Sequence, residues 1–207
     1  MTDEYVLDTQ RIRDFIGSVR GAIGAADGPP AAVAALRPLL GQLLAEDGWL
    51  SDEYASPNPT GGMGGGIGQW LLYRSGAGDL CLFSLVVPSW QSTPIHDHLA
   101  YGLVGLYRGE QAETVFRRID DGSVEGQARL EIVERKLLVR GGLYDLLPPD
   151  GDIHSVVTTS DEPSVSVHVL ANDTGCVWRH AFDYAEGTVR AFRSGYANRD
   201  CSQQTSD

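Results

Sequence analysis

Apolar residues at Ile12, Phe15, Ile16, Val19 and Ile23 recur every three or four positions. That spacing predicts an amphipathic helix over residues 9–24, with Asp8 or Thr9 as its N-cap. A second helix is predicted to open at Pro29-Pro30, where proline's missing N–H does no harm, and to gather Val33, Leu36, Leu40, Leu43 and Leu44 on one face. Pro38 is a kink position within it and Gly48 its stop. Over residues 56–68, Pro, Asn and Gly, including Gly64-Gly65-Gly66, erase both periodicities, so the stretch reads as a linker or mobile loop. Beyond Gln69 the texture changes to short β-branched and aromatic runs. Residues 80–87, 102–107, 111–118, 128–133, 136–139, 142–147, 154–158 and 164–170 read as strands, with turns at Asp121-Gly122 and Asp150-Gly151. Many short strands at nearly even intervals favour a closed double-sheet β-fold over a βαβ arrangement.

The 207 residues suit one domain with a small appended segment. A net charge of −12 argues against a surface that tracks phosphates, so no nucleic-acid partner is expected. Met1 is followed by the polar Thr2-Asp3-Glu4, and no apolar run approaches the ~18 residues of a membrane span. These features predict a cytoplasmic protein, monomer or homodimer, with no membrane partner. Cys81, Cys176 and Cys201 have no metal-type spacing and are odd in number, which predicts reduced thiols and makes Cys176 a buried, inert one.

Against that background the histidines stand out. The chain has five, and three of them, His96, His98 and His154, lie in β-like sequence. Residues at i and i+2 of a strand share a face, and a third side chain from another strand can meet them inside a barrel. Imidazole suits Fe, Ni, Cu and Zn, so the set is a candidate three-histidine metal site.

Thr93-Pro94-Ile95-His96-Asp97-His98-Leu99-Ala100-Tyr101-Gly102, with Gly109 beyond it, resembles the first cupin motif, and Pro149-Asp150-Gly151-Asp152-Ile153-His154 resembles the second. More narrowly, from about Trp49 through the phrase over 192–198, the chain resembles bacterial thiol dioxygenases related to cysteine dioxygenase. The resemblance implies a mainly β fold, a cupin double-stranded β-helix (jelly-roll) barrel over 61–200; the N-terminal pair of α-helices in 1–60 is expected to pack on it, and 201–207 to form a flexible tail. Most cupins place a metal-binding glutamate four residues after the second histidine, where this chain has Gly102. Three neutral imidazoles leave the anionic ligand to the substrate, and a thiolate is a natural candidate. Gly102 also excludes the cysteine that some cysteine dioxygenases join to a tyrosine.

The same resemblance implies roles around the metal. Ser166, His168 and Leu170 alternate along one strand face, and relatives carry Ser, His and Tyr there as a hydrogen-bond relay, so Leu170 breaks it. Gln69 and Arg179 match the glutamine-type 3-mercaptopropionate enzymes, in which an amide and a guanidinium position a carboxylate. Tyr101 contacts substrate or packs; Trp70, Trp90 and Trp178 are core candidates; His180 is structural. The implied activity is addition of O2, the co-substrate, to a small thiol by Fe(II), with Ni(II) as the alternative metal. The rivals are a specialised cysteine-oxidising cupin of sulfonamide or sulfonate biosynthesis and a non-enzymatic sensor cupin that binds a metal or small ligand.

Overall fold

The computed structural model describes residues 2–60 and 62–201. Strand β1 (Glu4–Tyr5) precedes helices α1 (Gln10–Ala25) and α2 (Pro29–Ala45). Thr9 caps α1, its hydroxyl accepting from the Ile12 N–H at 3.3 Å and so satisfying a donor that the first turn leaves bare. α2 runs through Pro38 and ends at Ala45, while Gly48 lies in the turn beyond at φ +76°. A single 3-10 turn follows at Asp52–Ala55.

The remaining strands are β2 (Gly68–Arg74), β3 (Cys81–Val87), β4 (Ile95–His96), β5 (Gly102–Arg108), β6 (Gln111–Arg118), β7 (Leu130–Leu138), β8 (Leu143–Leu146), β9 (Ile153–Thr158), β10 (Ser164–Leu170), β11 (Arg179–Asp183) and β12 (Thr188–Phe192). They form two six-stranded antiparallel sheets, ordered β1-β2-β3-β10-β5-β8 and β12-β11-β4-β9-β6-β7. Within this order β3, β10, β5 and β8 of one sheet answer β4, β9, β6 and β7 of the other. That is the jelly-roll connectivity of a double-stranded β-helix, so the predicted fold class stands.

The first sheet is buried on both faces, which is why β3 and β10 read as nearly unbroken apolar runs. Val165, Val167 and Val169 join Ile12, Ile16, Leu36 and Leu40 in a core under the helices. The opposite face turns Phe83, Leu85, Val104 and Leu170 into the barrel interior, where they meet Val156 of the second sheet. Each fully buried aliphatic or aromatic side chain of these cores contributes ~1.5–3 kcal/mol.

Several local expectations are corrected. The strands predicted over 128–133 and 136–139 are one strand, β7, because Glu134 and Arg135 face solvent on a sheet edge and interrupt the apolar pattern without interrupting the ladder. β1, β2, β4, β11 and β12 are additions to the predicted strands; β1 and β4 are only two residues long. Within the 56–68 stretch the Asn58 N–H donates to Gly66 O at 2.9 Å and Trp70 Nε1 donates to Ser56 O at 2.8 Å, and Gly68 opens β2.

The thiols depart most from expectation. Cys176 and Cys201 form a disulfide, with Cα atoms 5.2 Å apart, and Cys81 remains a buried free thiol. The pairing arises because the segment after β12 returns across the barrel: Gly195 N–H donates to Gly175 O at 2.9 Å and Ala197 N–H to Gln69 O at 2.7 Å. Asn198 closes a two-point clamp on Leu71, accepting from its N–H and donating to its carbonyl at 3.0 Å each. Of the tail predicted over 201–207, Cys201 is thus fastened, and 202–207 lie outside the described residues. Among the described residues no helix is long and apolar enough to cross a membrane.

Candidate metal centre

β4 and β9 set His96 directly opposite His154, and His98 follows two residues after His96. Ring centroids are 4.8 Å apart for His96 and His98, 5.0 Å for His96 and His154, and 4.9 Å for His98 and His154, a near-equilateral triangle of buried imidazoles. One nitrogen from each lies within 4.8 Å of the others, so these three histidines can hold a metal ion.

Their tautomers follow from partners that can only accept. His96 Nδ1 donates to Pro94 O at 2.8 Å, His154 Nδ1 to Glu113 Oε1 at 2.9 Å, and His98 Nδ1 makes a longer contact to Asp152 O at 3.4 Å. Each Nδ1 therefore carries the proton and each Nε2 keeps a lone pair for a metal. Burial, reinforced by neighbouring histidines, holds His96 and His98 well below the ordinary imidazole value, which keeps them neutral and ready to ligate.

The turn carrying His98 is clamped by Asp152, whose carboxylate accepts from the His98 N–H at 3.0 Å and the Leu99 N–H at 2.9 Å. Leu99 needs that support, since its φ of 52° lies in the left-handed region. Asp97 points the other way and locks β11, accepting from the His180 N–H at 2.8 Å and from His180 Nδ1 at 2.6 Å. Gly102 is fixed by its surroundings. A Cβ there would lie 2.2 Å from Val169 O and 2.6 Å from Leu170 Cδ2, so this backbone has no room for a side chain, acidic or otherwise.

Three further polar groups line the inner face of the first sheet or its border. His168 stacks on Phe83 with centroids 4.4 Å apart, lies 6.4 Å from the His98 ring, and shares a 3.0 Å hydrogen bond between Nε2 and Ser166 Oγ. Burial keeps its imidazole neutral as well, and among the described residues its Nδ1 has no partner. Gln69 is only 5% exposed, yet neither its amide oxygen nor its amide nitrogen finds a partner among them. A cavity of about 150 Å³ opens beside it, lined also by Met63, Ser194 and Tyr196. Such orphaned buried groups are rare without a ligand or water to meet them.

Arg179 is buried at 3% exposure, so it is not a surface ion-pair residue. Its guanidinium donates to Asp97 O at 2.6 Å, Ser194 Oγ at 2.8 Å and Thr174 O at 3.2 Å, and sits 4.7 Å over the Phe192 ring. Burial pulls it down to about 10, so it stays charged at neutral pH. Of its five N–H donors, two remain for other work.

The other residues singled out from the sequence fall in different places. Tyr101 packs against the helix-side core, on the other face of the sheet from the histidines, the second of the two roles expected for it. Leu170 packs in the barrel interior beside Gly102. Trp90 and Trp178 are 65% and 62% exposed and are not core; Trp178 lies under the Arg193 guanidinium. Sequence inspection missed Glu113, Asp152 and Tyr144, whose buried ring lies 5.7 Å from that of His154. The alternation of Gln111, Glu113 and Val115 was the one available hint that an acid points inward on β6.

No family model matches the chain. Among solved structures, an uncharacterized conserved protein with a double-stranded β-helix domain from Klebsiella pneumoniae is 15% identical, over 70% of this chain and 96% of that one, with a TM-score of 0.44. A cupin superfamily protein from Desulfitobacterium hafniense is 14% identical over 52% of this chain and 78% of that one, with a TM-score of 0.37. An oxalate oxidase in complex with the substrate analogue glycolate is 14% identical over 60% of this chain and 59% of that one, with a TM-score of 0.43.

Proposed function

We propose that this protein is a mononuclear iron(II) thiol dioxygenase that converts the thiolate of a small thiol carboxylate, of the cysteine or 3-mercaptopropionate class, into a sulfinate. Both atoms of O2 enter the product, R–S⁻ becoming R–SO2⁻, so no other co-reactant is needed. The observation that supports it is a donor set of three imidazoles beside a glycine whose Cβ would strike Val169 O at 2.2 Å. Among the described residues no anionic ligand joins the three Nε2 atoms, and a thiolate substrate would supply one. Bound iron would offer positions for the thiolate and for O2 together.

The chain's own groups then divide the remaining work. The unpartnered amide of Gln69 and the two spare N–H groups of Arg179 orient the substrate carboxylate. His168, held by Ser166 and stacked on Phe83, presents a free Nδ1 toward the oxygen-bearing ligand. A second reading, a specialised cysteine-oxidising cupin of sulfonamide or sulfonate biosynthesis with nickel as the alternative metal, is favoured by Leu170, which puts a fully buried apolar side chain at the relay's third position.

The test is anaerobic metal loading and metal analysis, then oxygen uptake and product mass spectrometry with cysteine, cysteamine, 3-mercaptopropionate and mercaptosuccinate. A product 32 mass units heavier, roughly one O2 per thiol, supports the dioxygenase; a more oxidised or fragmented product supports the second reading. Tight thiol binding without O2 consumption overturns both in favour of a sensor.

A further inference from the structure

The three histidines are not equivalent. His96 gives its Nδ1 proton to a neutral carbonyl and His98 makes only 3.4 Å contacts, to the carbonyl and to Oδ1 of Asp152, whereas His154 gives its proton at 2.9 Å to the carboxylate of Glu113. Glu113 projects inward from β6 and is buried at 2% exposure. Its Oε2 has no hydrogen-bond partner among the described residues; the cation that pairs with it, Lys136 Nζ, stands 3.9 Å away and lies closer, at 3.0 Å, to Glu134. A buried carboxylate with so little compensation is costly unless a positive charge lies nearby. The place for that charge is the point on which the three Nε2 atoms converge, on the far side of the His154 ring.

We propose that Glu113 is a positioning residue of the metal centre: it fixes the tautomer and ring orientation of His154, strengthens its Nε2 as a donor, and supplies a buried negative charge in direct hydrogen-bond contact with a ligand ring. Glu113 touches neither substrate nor metal. It acts through His154. This rests on the metal-binding part of the proposed function and is independent of the thiol.

The test measures Co(II) affinity by chelator competition, the visible spectrum of the Co(II) protein, and melting with and without Co(II). Glu113→Gln keeps a carbonyl to accept from Nδ1 and removes the charge. It is expected to weaken Co(II) binding about 10- to 100-fold, shift the visible bands, and hold or raise the melting temperature of the metal-free protein while shrinking the gain on adding metal. A merely structural residue would lower the metal-free melting temperature and leave the spectrum alone, and that result overturns the proposal. Should Glu113→Gln fail to fold, Lys136→Met removes the competing cation and keeps the carboxylate. Co(II) should then bind about 1.5- to 5-fold more tightly, the size of an exposed ion pair, and equal or weaker binding overturns the proposal. Wild-type protein that binds no Co(II) overturns the metal site itself, a result distinct from a wild type that binds and an indifferent Glu113→Gln.

Discussion

Gly102→Ala should be among the most damaging small substitutions in this protein, and the reason is measurable in the barrel wall. Gly102 on β5 pairs with Leu170 on β10, and an added Cβ would stand 2.2 Å from Val169 O, 2.6 Å from Leu170 Cδ2 and 2.9 Å from Leu170 Cα. Ordinary contacts lie at ~3.5–4.0 Å, so two central strands must separate by roughly 1 Å where their ladder is closed on both sides. Overpacking of this kind costs ~1–3 kcal/mol, and backbone rather than a flexible side-chain tip is what must yield here, which places the cost near ~3 kcal/mol. At ~2–4 °C per kcal/mol for a domain of this size, Tm should fall by ~6–12 °C. Gly17→Ala is the matched control: it lies inside α1, its new Cβ would meet nothing within 4 Å, and the helix should gain ~0.5–1 kcal/mol. Melting followed by circular dichroism on the metal-free proteins, with urea midpoints at constant m, makes the comparison. If both variants shift Tm in the same direction, or if Gly102→Glu folds with wild-type stability, the steric account of the missing carboxylate ligand is wrong.

Single replacement of His96, His98 or His154 by Ala should remove most bound iron and abolish oxygen uptake while the fold persists on its own cores; full iron occupancy in His154→Ala would refute the ligand set. Arg179→Gln should loosen the returning arm, because Ser194 and the Asp97 carbonyl lose a charge-assisted donor worth ~1.5–3 kcal/mol, and hydrogen exchange at 194–198 should rise; unchanged protection would leave Arg179 without a structural role. Leu170→Tyr should alter the ratio of O2 consumed to thiol oxidised while leaving metal content intact, and identical stoichiometry and products would dissociate this position from the reaction. The metal-free protein should lose stability as pH falls below about 6.5: burial keeps His168 well below that ordinary value, so the unfolded chain takes up a proton that the native state refuses, and a urea midpoint unchanged between pH 7.5 and 5.5 would contradict this.

The helices and the inner row of β10 were legible because their signals are local. Ile12, Phe15, Ile16 and Val19 repeat at helical spacing, and Ser166 and His168 alternate with valines that face the helices. What stayed hidden was carried by distant partners: Glu113 meets His154 across 41 residues, and Asp152 meets the turn after His98 across 54. Neither acid differs in sequence from the solvated acids around it. The Cys176–Cys201 pair was hidden for the same reason, since the route of residues 194–201 is set by hydrogen bonds to Gln69, Leu71 and Gly175.

That returning arm imposes an order on biosynthesis. Ala197 and Asn198 complete the outer edge of β2 beside Gln69 and Leu71, and Asn198 is translated 44 residues after His154. At ~5–20 residues per second, a nascent chain holds all three histidines for ~2–9 s before the strand bearing Gln69 can be fastened. Until then the edge of β2 beside Gln69 and Leu71 lacks the partners that Ala197 and Asn198 give it.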